Sequence, residues 1–498
     1  MKTAVIGSGV AGLAVACRLA SRGIKVDLFE KNSTPGGKIS EIRDKGYRFD
    51  TGPSLFTLPS MVTDIAGLDY FELENSCRYF FPDGTEFNFY NDRQRLKEEC
   101  ESTGIREFGN IAARLQESRE LYDLTANLFL FNSFHKLSNF IKEENRKIPL
   151  KLHKLKFLST MHSANKKRFG DKRIVQLFDR YATYNGSSPY RAPATLNMIS
   201  HLEHNLGAFF PADGIYSIIK TLYNKAIELG VEFRFNSRVS SVEFDNKGRM
   251  ATGIQVNGEY LAYDMLVCDC DVKYFSDNML PPGIRHPLAK RLQKTEPSSS
   301  ALIFYWGVKG EFPLFDVHNI FFTTDYKKEF EYLFVKGELY HDPTIYLFIS
   351  KKVVSSDAPE GCENWFVMVN APANTGQDWS KMVSSARSAI LKKLNELLLS
   401  KGITADIGQL IETEHIASPF TIEKNTLSSR GSLYGSSSNS MMSAFLRHPN
   451  HLRKFRNIWF TGGSVHPGGG IPLCLASAMI ADKEIEEREE REKKKTPK

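Results

Sequence analysis

The first thirty residues contain the feature that most constrains the fold. Residues 3–6 are apolar and predict a short buried strand, residues 13–22 predict a helix, and residues 24–29 predict a second strand. The turn between the first strand and the helix fits the pattern G-x-G-x-x-G and consists of Gly7, Ser8, Gly9, Val10, Ala11 and Gly12. This order of strand, turn, helix and strand predicts a Rossmann-type α/β domain.

Each glycine of this turn has a separate role. Gly7 permits the tight turn, Gly9 lets a pyrophosphate approach the backbone, and Gly12 lets the helix pack close to the strand. The free N–H groups at the start of the helix would hold the phosphates. Glu30 lies 18 residues beyond Gly12, close to the roughly 20 expected for an acid that binds ribose hydroxyls. We therefore predict a dinucleotide-binding site rather than an ordinary βαβ turn.

Length and composition narrow the class of protein. The chain has 498 residues, which predicts two or three domains, and 41% of them are hydrophobic, as in ordinary globular proteins. A net charge of +7 is mild and does not by itself indicate a nucleic acid partner. No apolar stretch reaches the ~18 residues of a membrane-spanning helix. Glycines interrupt the apolar run at the start, so we do not interpret it as a signal peptide.

The cysteines and histidines do not predict a metal site. The seven cysteines are scattered and form no C-x-x-C pair, so we expect reduced thiols rather than disulfides or zinc ligands. His466 lies in a second glycine-rich segment, but no other histidine or carboxylate stands at ligand spacing from it. We therefore interpret His466 as a structural residue.

The middle of the chain differs from its beginning in composition and periodicity. Residues 71–204 contain few glycines, and their periodicity predicts mainly helices. Residues 121–140 are rich in phenylalanine and leucine, and residues 142–173 are strongly basic with apolar residues between the charges. Two interpretations stay open for the basic stretch: a helix on an anionic membrane surface, or a solvated helical face over a core. Nucleic acid is the weaker alternative, because no base-stacking or groove-reading motif accompanies the charge.

Two further blocks complete the predicted fold. After a helix at 215–229, strands are predicted at 231–235, 239–244, 252–256 and 263–268, with Asp269 directly after the last. A second β-rich block has predicted strands at 300–308, 320–324, 344–349 and 365–369, followed by a helix at 382–401. The Ser/Gly-rich residues 428–440 predict a binding or closing loop.

A second unit of strand, glycine loop and helix lies near the end of the chain. Residues 457–464 predict a strand that runs into glycines, and a helix is predicted from Leu473. The start of this helix can hold a second anionic or ring-carbonyl group. The densely charged residues 481–498 predict a solvated helix that frays at its end.

These features occur together in the order of one known family. They are the first glycine motif with Glu30, the pair Gly36 and Gly37, and residues 49–54, 181–196 and 466–472. Together they resemble the bacterial carotenoid desaturases of the phytoene-desaturase type, within the FAD-dependent amine-oxidase-like superfamily. The resemblance covers nearly the whole chain. Residues 79–85 and 434–439 resemble the hydroxycarotenoid 3,4-desaturase branch more than phytoene desaturase itself.

The resemblance implies FAD as a tightly held cofactor. Val239 would lie on the adenine side, and the second glycine-rich loop would lie on the flavin side. The candidate FAD-binding residues are Gly7, Ser8, Gly9, Val10, Ala11, Gly12, Glu30, Lys31, Gly36, Gly37, Lys38, Gly52, Pro53, Ser54, Leu55, Val239, Asp269, Gly463, Ser464, Gly470, Ile471 and Pro472. No catalytic residue and no metal ligand is predicted.

The family's organisation implies two domains. Residues 1–75, 205–285 and 450–498 would form a discontinuous Rossmann-type FAD-binding domain. Residues 76–204 and 286–449 would form an inserted mixed α+β domain that binds the substrate and faces the membrane. Two residues depart from the family's pattern. Lys38 stands where the family usually has arginine, which weakens bidentate phosphate binding, and Asp213 stands where it usually has glycine.

The implied activity is desaturation of a long apolar carotenoid by hydride transfer to flavin, most closely 3,4-desaturation of a 1-hydroxycarotenoid. We expect an apolar substrate tunnel that opens at a membrane surface, with oxygen or a quinone as electron acceptor. The expected location is the cytoplasm, in peripheral association with the inner membrane. The alternatives are a phytoene desaturase, a flavin-dependent polyene isomerase and a non-enzymatic lipid escort protein of the same fold.

Overall fold

The computed structural model describes residues 1–140 and 159–495. Five of the described strands form one sheet, which we call the parallel sheet because every neighbouring pair in it is parallel. Its order is Ile458–Phe460, Met265–Cys268, Lys2–Ile6, Lys25–Phe29 and Glu232–Arg234. The three central strands are almost entirely buried, as their nearly continuous apolar sequences predict.

Different layers cover the two faces of the parallel sheet. The face that includes Val5 packs against the helices Val10–Ser21, Tyr216–Glu228 and Ile471–Lys495. The face that includes Ala4 packs against a small antiparallel sheet of Val239–Phe244, Ala251–Val256 and Glu259–Ala262. Because successive side chains of a strand point to opposite faces, one apolar strand contributes to both cores. The predicted unit of strand, helix and strand at the start of the chain is confirmed.

Seven of the described strands form a second sheet, which we call the large sheet. Its order is Ile411–Ala417, Ser300–Lys309, Cys362–Ala371, Ile345–Ile349, His318–Phe321, Asn75–Phe80 and Glu86–Tyr90. Neighbours are antiparallel except for the pair His318–Phe321 and Asn75–Phe80, which is parallel. On one face, Trp306 and Trp365 are fully buried in a core shared with the helix Trp379–Ser400.

The remaining elements are short or connect the two sheets. Two-stranded sheets pair Ser40–Asp44 with Tyr47–Thr51 and Tyr70–Glu72 with Phe209–Pro211. Further α-helices are Ser60–Thr63, Arg93–Ser102, Phe108–Phe129, Leu137–Phe140, Met161–Arg168, Lys172–Asp179, Ile199–His204, Val272–Tyr274, Ala289–Lys294, Tyr326–Glu331, Ile407–Leu410, Pro419–Thr426 and Met441–Phe445. Single turns of 3₁₀ or π-helix occur at Arg180–Asn185, Ala194–Met198, Phe275–Met279, Tyr332–Lys336, Ser350–Lys352, Ser355–Asp357 and Ser429–Gly431.

The prediction of a mainly helical segment at 71–204 is wrong for its beginning. Asn75–Phe80 and Glu86–Tyr90 form a hairpin at the edge of the large sheet, and Gly84 takes a φ of 85° in its turn. Phe87 and Phe89 are both fully buried, which is the alternation of a strand with one face inward. The parallel partner of this hairpin comes far later in the chain, so local periodicity could not indicate the pairing.

The charged C-terminal helix is not solvated along its whole length. Ile485 is buried, and Asp482 forms an ion pair with Arg22 at 3.0 Å. Glu484 forms a second ion pair, with Lys136, at 3.2 Å. The first half of the charged segment therefore docks on the helical layer over the parallel sheet, and the prediction of a solvated helix is wrong there.

Several predictions concern the chain as a whole. All strands of the parallel sheet lie within the residues predicted for the FAD-binding domain. All strands of the large sheet except the first residue of Asn75–Phe80 lie within the residues predicted for the inserted domain. The domain boundaries themselves stay a prediction. The central part of the basic stretch, residues 141–158, lies outside the described residues. Within the described ranges, no helix is long and apolar enough to cross a bilayer. All seven cysteines are free thiols, and most of them are buried.

Candidate functional site

The first glycine motif lies at the carboxyl end of the central strand of the parallel sheet. The helix Val10–Ser21 begins directly after Gly9, which as a glycine has no side chain of its own to cap it. A Cβ at Gly12 would lie 2.1 Å from the carbonyl oxygen of Gly7, so only glycine allows this close approach of helix and strand. The N–H groups at the start of the helix can receive an anion.

The second glycine pair is brought directly against the first motif. The N–H of Gly36 donates to the carbonyl oxygen of Ser8 at 2.9 Å, and Gly36 forms a short parallel bridge with Gly9. Gly36 has a φ of 132°, and a Cβ there would lie 2.0 Å from the carbonyl oxygen of Ile39. Gly37 also lies against the motif, because a Cβ added there would lie 3.3 Å from the Cα of Gly9. The two segments therefore form one continuous backbone surface.

Glu30 directly follows the second strand and is buried. Its carboxylate accepts hydrogen bonds from the N–H and the hydroxyl of Ser8, at 3.0 and 2.7 Å, and from the N–H of Asn32 at 2.9 Å. These bonds occupy three of the roughly four lone-pair positions of a carboxylate, which leaves one for a ribose hydroxyl. The N–H of Ser237 donates to the carbonyl oxygen of Glu30 at 2.8 Å, so the segment that leads to Val239 lies beside this acid.

Asp269 lies between the two glycine-rich loops. A Cβ added at Gly9 would lie 2.5 Å from Oδ2 of Asp269, and one added at Gly462 would lie 2.5 Å from Oδ1. The carboxyl therefore occupies the space that a side chain at either glycine would need. Burial raises the pKa of Asp269 to about 7, although hydrogen bonds from the backbone of Gly12 and Gly9 oppose that shift. A carboxyl group that titrates near neutrality therefore stands where the phosphates are expected.

The second glycine-rich loop joins Ile458–Phe460 to the C-terminal helix. That helix begins at Ile471, two residues earlier than predicted, and Pro472 stands in its first turn, where proline is well tolerated. The hydroxyl of Ser464 accepts a hydrogen bond from the N–H of Val272 at 3.0 Å. Gly470 has a φ of 107°, and nothing lies within 4 Å of its Cβ position. The loop therefore leaves open space beside the start of the helix.

The Ser/Gly-rich residues 428–440, which we call the closing loop, pack over the second glycine-rich loop. A Cβ at Gly435 would lie 2.7 Å from the Cα of Ser464 and 3.1 Å from the carbonyl oxygen of Gly463. A Cβ at Gly469 would lie 2.8 Å from the Cα of Tyr434. This segment is therefore part of the site rather than a linker between domains.

The two candidate lysines bind backbone oxygens. Lys38 Nζ donates to the carbonyl oxygens of Ser432 and Leu433, at 2.7 and 3.0 Å, and burial lowers the pKa of Lys38. Lys31 Nζ donates to the carbonyl oxygen of Asn425 at 2.5 Å. Both lysines therefore connect the loops near Gly36 to the closing loop and to the helix Pro419–Thr426 before it.

The loop after the strand Tyr47–Thr51 contains Gly52, Pro53, Ser54 and Leu55. A Cβ at Gly52 would lie 2.1 Å from the carbonyl oxygen of Lys38, so this loop lies tightly against the site. The hydroxyl of Ser54 is hydrogen-bonded to the hydroxyl of Tyr346 at 2.7 Å, and that hydroxyl is hydrogen-bonded to Nδ1 of His318 at 2.7 Å. No sequence motif links the three members of this chain of polar groups, so the sequence could not predict it.

His466 makes a structural contact. It is buried, and its Nε2 is hydrogen-bonded to the carbonyl oxygen of Asn132 at 3.0 Å. Burial lowers the pKa of His466 to about 4, so the ring is neutral. Among the described residues, no cluster of three or more His, Cys, Asp or Glu side chains could hold a metal ion.

Asp213, which departs from the expected pair of glycines, does not disturb its turn. Its side chain is exposed. The tight position is the next one, since a Cβ at Gly214 would lie 2.0 Å from the guanidinium of Arg48. Asp50 accepts hydrogen bonds from the N–H groups of Ile215 and Tyr216, which fixes the following helix.

These features fit FAD. The glycine-lined surface has no side chains of its own, a helix begins directly at it, Glu30 keeps a lone pair, and space is open beside Gly470. The backbone between Gly9 and Gly12 would hold the pyrophosphate, and Val239 would lie on the adenine side. The loop at 52–55 and the start of the C-terminal helix would hold the flavin.

Comparison with known proteins agrees with this geometry. The family described as flavin containing amine oxidoreductase matches residues 10–481, and the chain belongs to this family. It is an FAD-dependent oxidoreductase with an α/β, Rossmann-type fold, as the sequence predicts.

Several curated relatives match nearly the whole chain. A 1-hydroxycarotenoid 3,4-desaturase from Flavobacterium sp. (strain P99-3) is 42% identical over 487 residues, covering 96% of this chain and 98% of that relative. A phytoene desaturase from Fusarium fujikuroi is 30% identical, covering 97% and 88%. A 4,4'-diapolycopene oxygenase from Methylomonas sp is also 30% identical, covering 96% and 97%.

Solved structures share the fold at low sequence identity. An oxidoreductase from Methanosarcina mazei matches with a TM-score of 0.63 and 14% identity, covering 98% of this chain and all of its own. A triple mutant of putrescine oxidase matches with a TM-score of 0.64 and 12% identity, covering 98% of this chain and 99% of its own.

We expect Gly12→Ala to lose FAD, because its Cβ would overlap the carbonyl oxygen of Gly7 and push the helix away from the strand. The bound flavin per protein, measured by absorbance after gel filtration, should fall about tenfold or more. Gly109→Ala is the matched control, since nothing lies within 4 Å of that Cβ position and the residue is helical. Equal flavin content in both variants would contradict this role of Gly12.

We expect FAD binding to weaken as the pH rises through about 7. Burial raises the pKa of Asp269 to about 7, so its carboxyl is mostly neutral below that pH and mostly negative above it, next to the phosphates. The Kd for FAD should increase about three- to tenfold from about pH 6 to about pH 8. In Asp269→Asn the increase should largely disappear, and an unchanged pH dependence would show that Asp269 does not face the phosphates.

Proposed function

We propose that the protein is a carotenoid desaturase that introduces a conjugated double bond, with 3,4-desaturation of a 1-hydroxycarotenoid as its reaction. The observation that carries the proposal is a site that fits FAD in a chain 42% identical, over 96% of its length, to a 1-hydroxycarotenoid 3,4-desaturase. Phytoene desaturases at 30% identity support the broader class of substrate.

One face of the large sheet suits a long apolar substrate. Neighbouring strands place Tyr79, Ile320, Tyr346 and Met368 in register on this face. The next row contains His318, Phe348, Phe366 and Tyr305. Ser54 reaches this face from the predicted flavin side. An apolar and aromatic sheet face beside the predicted flavin side supports binding of a polyene.

The apolar tunnel itself stays a prediction. The described residues form a recess of about 280 Å³ along residues 43–48. A second recess, of about 10 Å³, lies beside Asn132 and Glu484. Both are lined mainly by polar and charged residues, so neither is the predicted tunnel.

The proposed reaction is a dehydrogenation. Bound FAD would supply the acceptor for a hydride from a saturated carbon beside the polyene, and loss of a proton from the neighbouring carbon then leaves one more C=C bond. The large sheet would align the polyene against the flavin, which the loop at 52–55 would help to hold. Oxygen or a membrane quinone would accept the electrons in turn.

We also propose that the protein binds peripherally to an anionic membrane surface, on the cytoplasmic side of the inner membrane. Lys166 and Lys167 are exposed within the basic stretch. Phe134 contacts Phe129 and Phe140, with ring centroids 4.8 and 5.2 Å apart, and all three rings are only partly buried. Exposed cations and partly buried apolar rings in neighbouring stretches of the sequence both favour an anionic lipid surface, and a carotenoid substrate is dissolved in that lipid.

The desaturase proposal predicts the mass of the product. FAD-loaded protein with lipid should convert a 1-hydroxylated acyclic carotenoid to a product lighter by two hydrogens, with absorption shifted to longer wavelength, because the polyene gains one conjugated bond. Phytoene offered in parallel should stay unchanged.

Each other outcome identifies a different function. Conversion of phytoene would indicate a desaturase of an earlier step. A change of absorption at constant mass would indicate an isomerase. A purified protein that holds no flavin would indicate a lipid escort protein.

The membrane proposal predicts a charge-dependent interaction. The double variant Lys166→Glu and Lys167→Glu should bind anionic vesicles at least about thirtyfold more weakly than the wild type in a sedimentation assay, because two cations are lost at about 1 kcal/mol each near the surface. The double variant Lys327→Glu and Lys392→Glu is the control, because both lysines are exposed outside the basic stretch. An equal loss in both variants would show that total charge alone controls binding.

A further inference from the structure

We infer that His318, held by Tyr346 and Ser54, binds the hydroxyl group of the substrate and selects hydroxylated carotenoids over hydrocarbon ones. This inference rests on the proposed function, because it names the residue that recognises the hydroxyl in that reaction. It concerns a polar group on a sheet face that is otherwise apolar and aromatic.

The primary observation is an unsatisfied nitrogen. His318 is 3% exposed, and its Nδ1 is hydrogen-bonded to the hydroxyl of Tyr346 at 2.7 Å. Its Nε2 is buried and has no hydrogen-bond partner within the described part of the chain. A buried polar atom without a partner is costly, so a group that can hydrogen-bond to it is favoured there. On a sheet face that binds the substrate, a polar group of the substrate can fill this role.

The position of His318 suits a hydroxyl near the reacting carbons. The hydroxyl of Tyr346 is hydrogen-bonded to Ser54, in the loop expected to hold the flavin, at 2.7 Å. In a 1-hydroxycarotenoid, a single carbon separates the hydroxyl-bearing carbon from C3, the first carbon of the new double bond. The partner of the hydroxyl must therefore lie beside the flavin. Two hydrogen bonds, from Ser54 to Tyr346 and from Tyr346 to His318, connect His318 to the loop on the predicted flavin side.

An alcohol can hydrogen-bond to His318 whichever ring nitrogen carries the proton. If Nδ1 carries the proton, Nε2 is an acceptor, and if Nε2 carries the proton, it is a donor. A hydroxyl group both donates and accepts, so it can pair with either form. Ser54 and Tyr346 are hydroxyls as well, and they can reverse the direction of their bonds to match.

The neighbouring charges do not compete for this role. Arg180 donates to Glu203 at 2.9 Å and to the hydroxyl of Tyr79 at 2.6 Å, and Tyr184 donates to Glu203 at 2.5 Å. Arg180 and Glu203 therefore neutralise each other and are hydrogen-bonded to tyrosines, so they do not compete with His318 for the substrate hydroxyl.

His318 is also a poor proton acceptor. Burial lowers the pKa of His318 to about 4. The charges of Glu203 and Asp316 oppose this shift, and the charge of Arg180 adds to it. The ring therefore stays neutral near pH 7, as a hydrogen-bond partner should. A general base would need a pKa closer to the working pH.

The experiment compares two substrates in the wild type and in four variants. The substrates are a 1-hydroxylated carotenoid and the same polyene without the hydroxyl, and the readouts are kcat/KM and the Kd of each. His318→Phe keeps a ring but removes both nitrogens. Its kcat/KM for the hydroxylated substrate should fall about ten- to a hundredfold, with little change for the hydrocarbon. Flavin content should stay at the wild-type level.

Tyr346→Phe provides a second, milder test. It leaves His318 in place but removes its connection to Ser54, so the preference for the hydroxylated substrate should fall about three- to tenfold. Tyr326→Phe is the control, because it removes another buried hydroxyl that lies outside this chain. It should keep the wild-type preference. His318→Gln, which restores a donor and an acceptor, should recover part of the loss.

The outcomes separate this inference from the proposed function. If the wild type converts the hydroxylated substrate and both His318→Phe and Tyr346→Phe keep its preference, the inference is wrong and the desaturase proposal stands. If the wild type desaturates neither substrate, the proposed function is wrong. If His318→Phe loses both substrates equally while its flavin content is normal, His318 shapes the pocket and does not read the hydroxyl.

Discussion

The close approach of three backbone segments at the carboxyl end of the parallel sheet is the constraint on which the site depends. The helix after Gly9 can start there only because Gly12 has no side chain to meet Gly7. The loop with Gly36 then bonds to the carbonyl oxygen of Ser8 at 2.9 Å. Once these segments are in contact, the closing loop and the C-terminal glycine loop have a fixed surface on which to pack. A single Cβ at Gly12 would therefore change more than one contact.

The sequence predicted what depends on short-range patterns. The first strand, helix and second strand follow from apolar periodicity and glycine spacing within about thirty residues. The hairpin at 75–90 was missed because its parallel partner comes far later, and strand pairing over such distances leaves no local signal. The chain from Ser54 to Tyr346 joins residues separated by 292 positions. Such contacts arise from tertiary packing, which propensity and periodicity do not encode.

Two departures from the family's pattern have a physical explanation in the structure. Lys38 does not act as a fork for a phosphate, because its amine donates to the carbonyl oxygens of Ser432 and Leu433. A single ammonium group is sufficient for such a tie, whereas the planar fork of arginine favours bidentate acids. Asp213 is exposed, and the steric demand falls on Gly214 alone. Both changes therefore keep the backbone geometry on which the cofactor site depends.

An apolar surface binds a polyene tightly but discriminates poorly. A hydrocarbon and its hydroxylated analogue bury almost the same area, so apolar contacts cannot reject the hydrocarbon. A buried nitrogen that lacks a partner can, because it stays unsatisfied when the hydrocarbon binds. Nε2 of His318 is such an atom, on the same sheet face as Ile320 and Met368. One polar atom beside rows of apolar and aromatic side chains would then select the hydroxylated end of the substrate and place it next to the flavin.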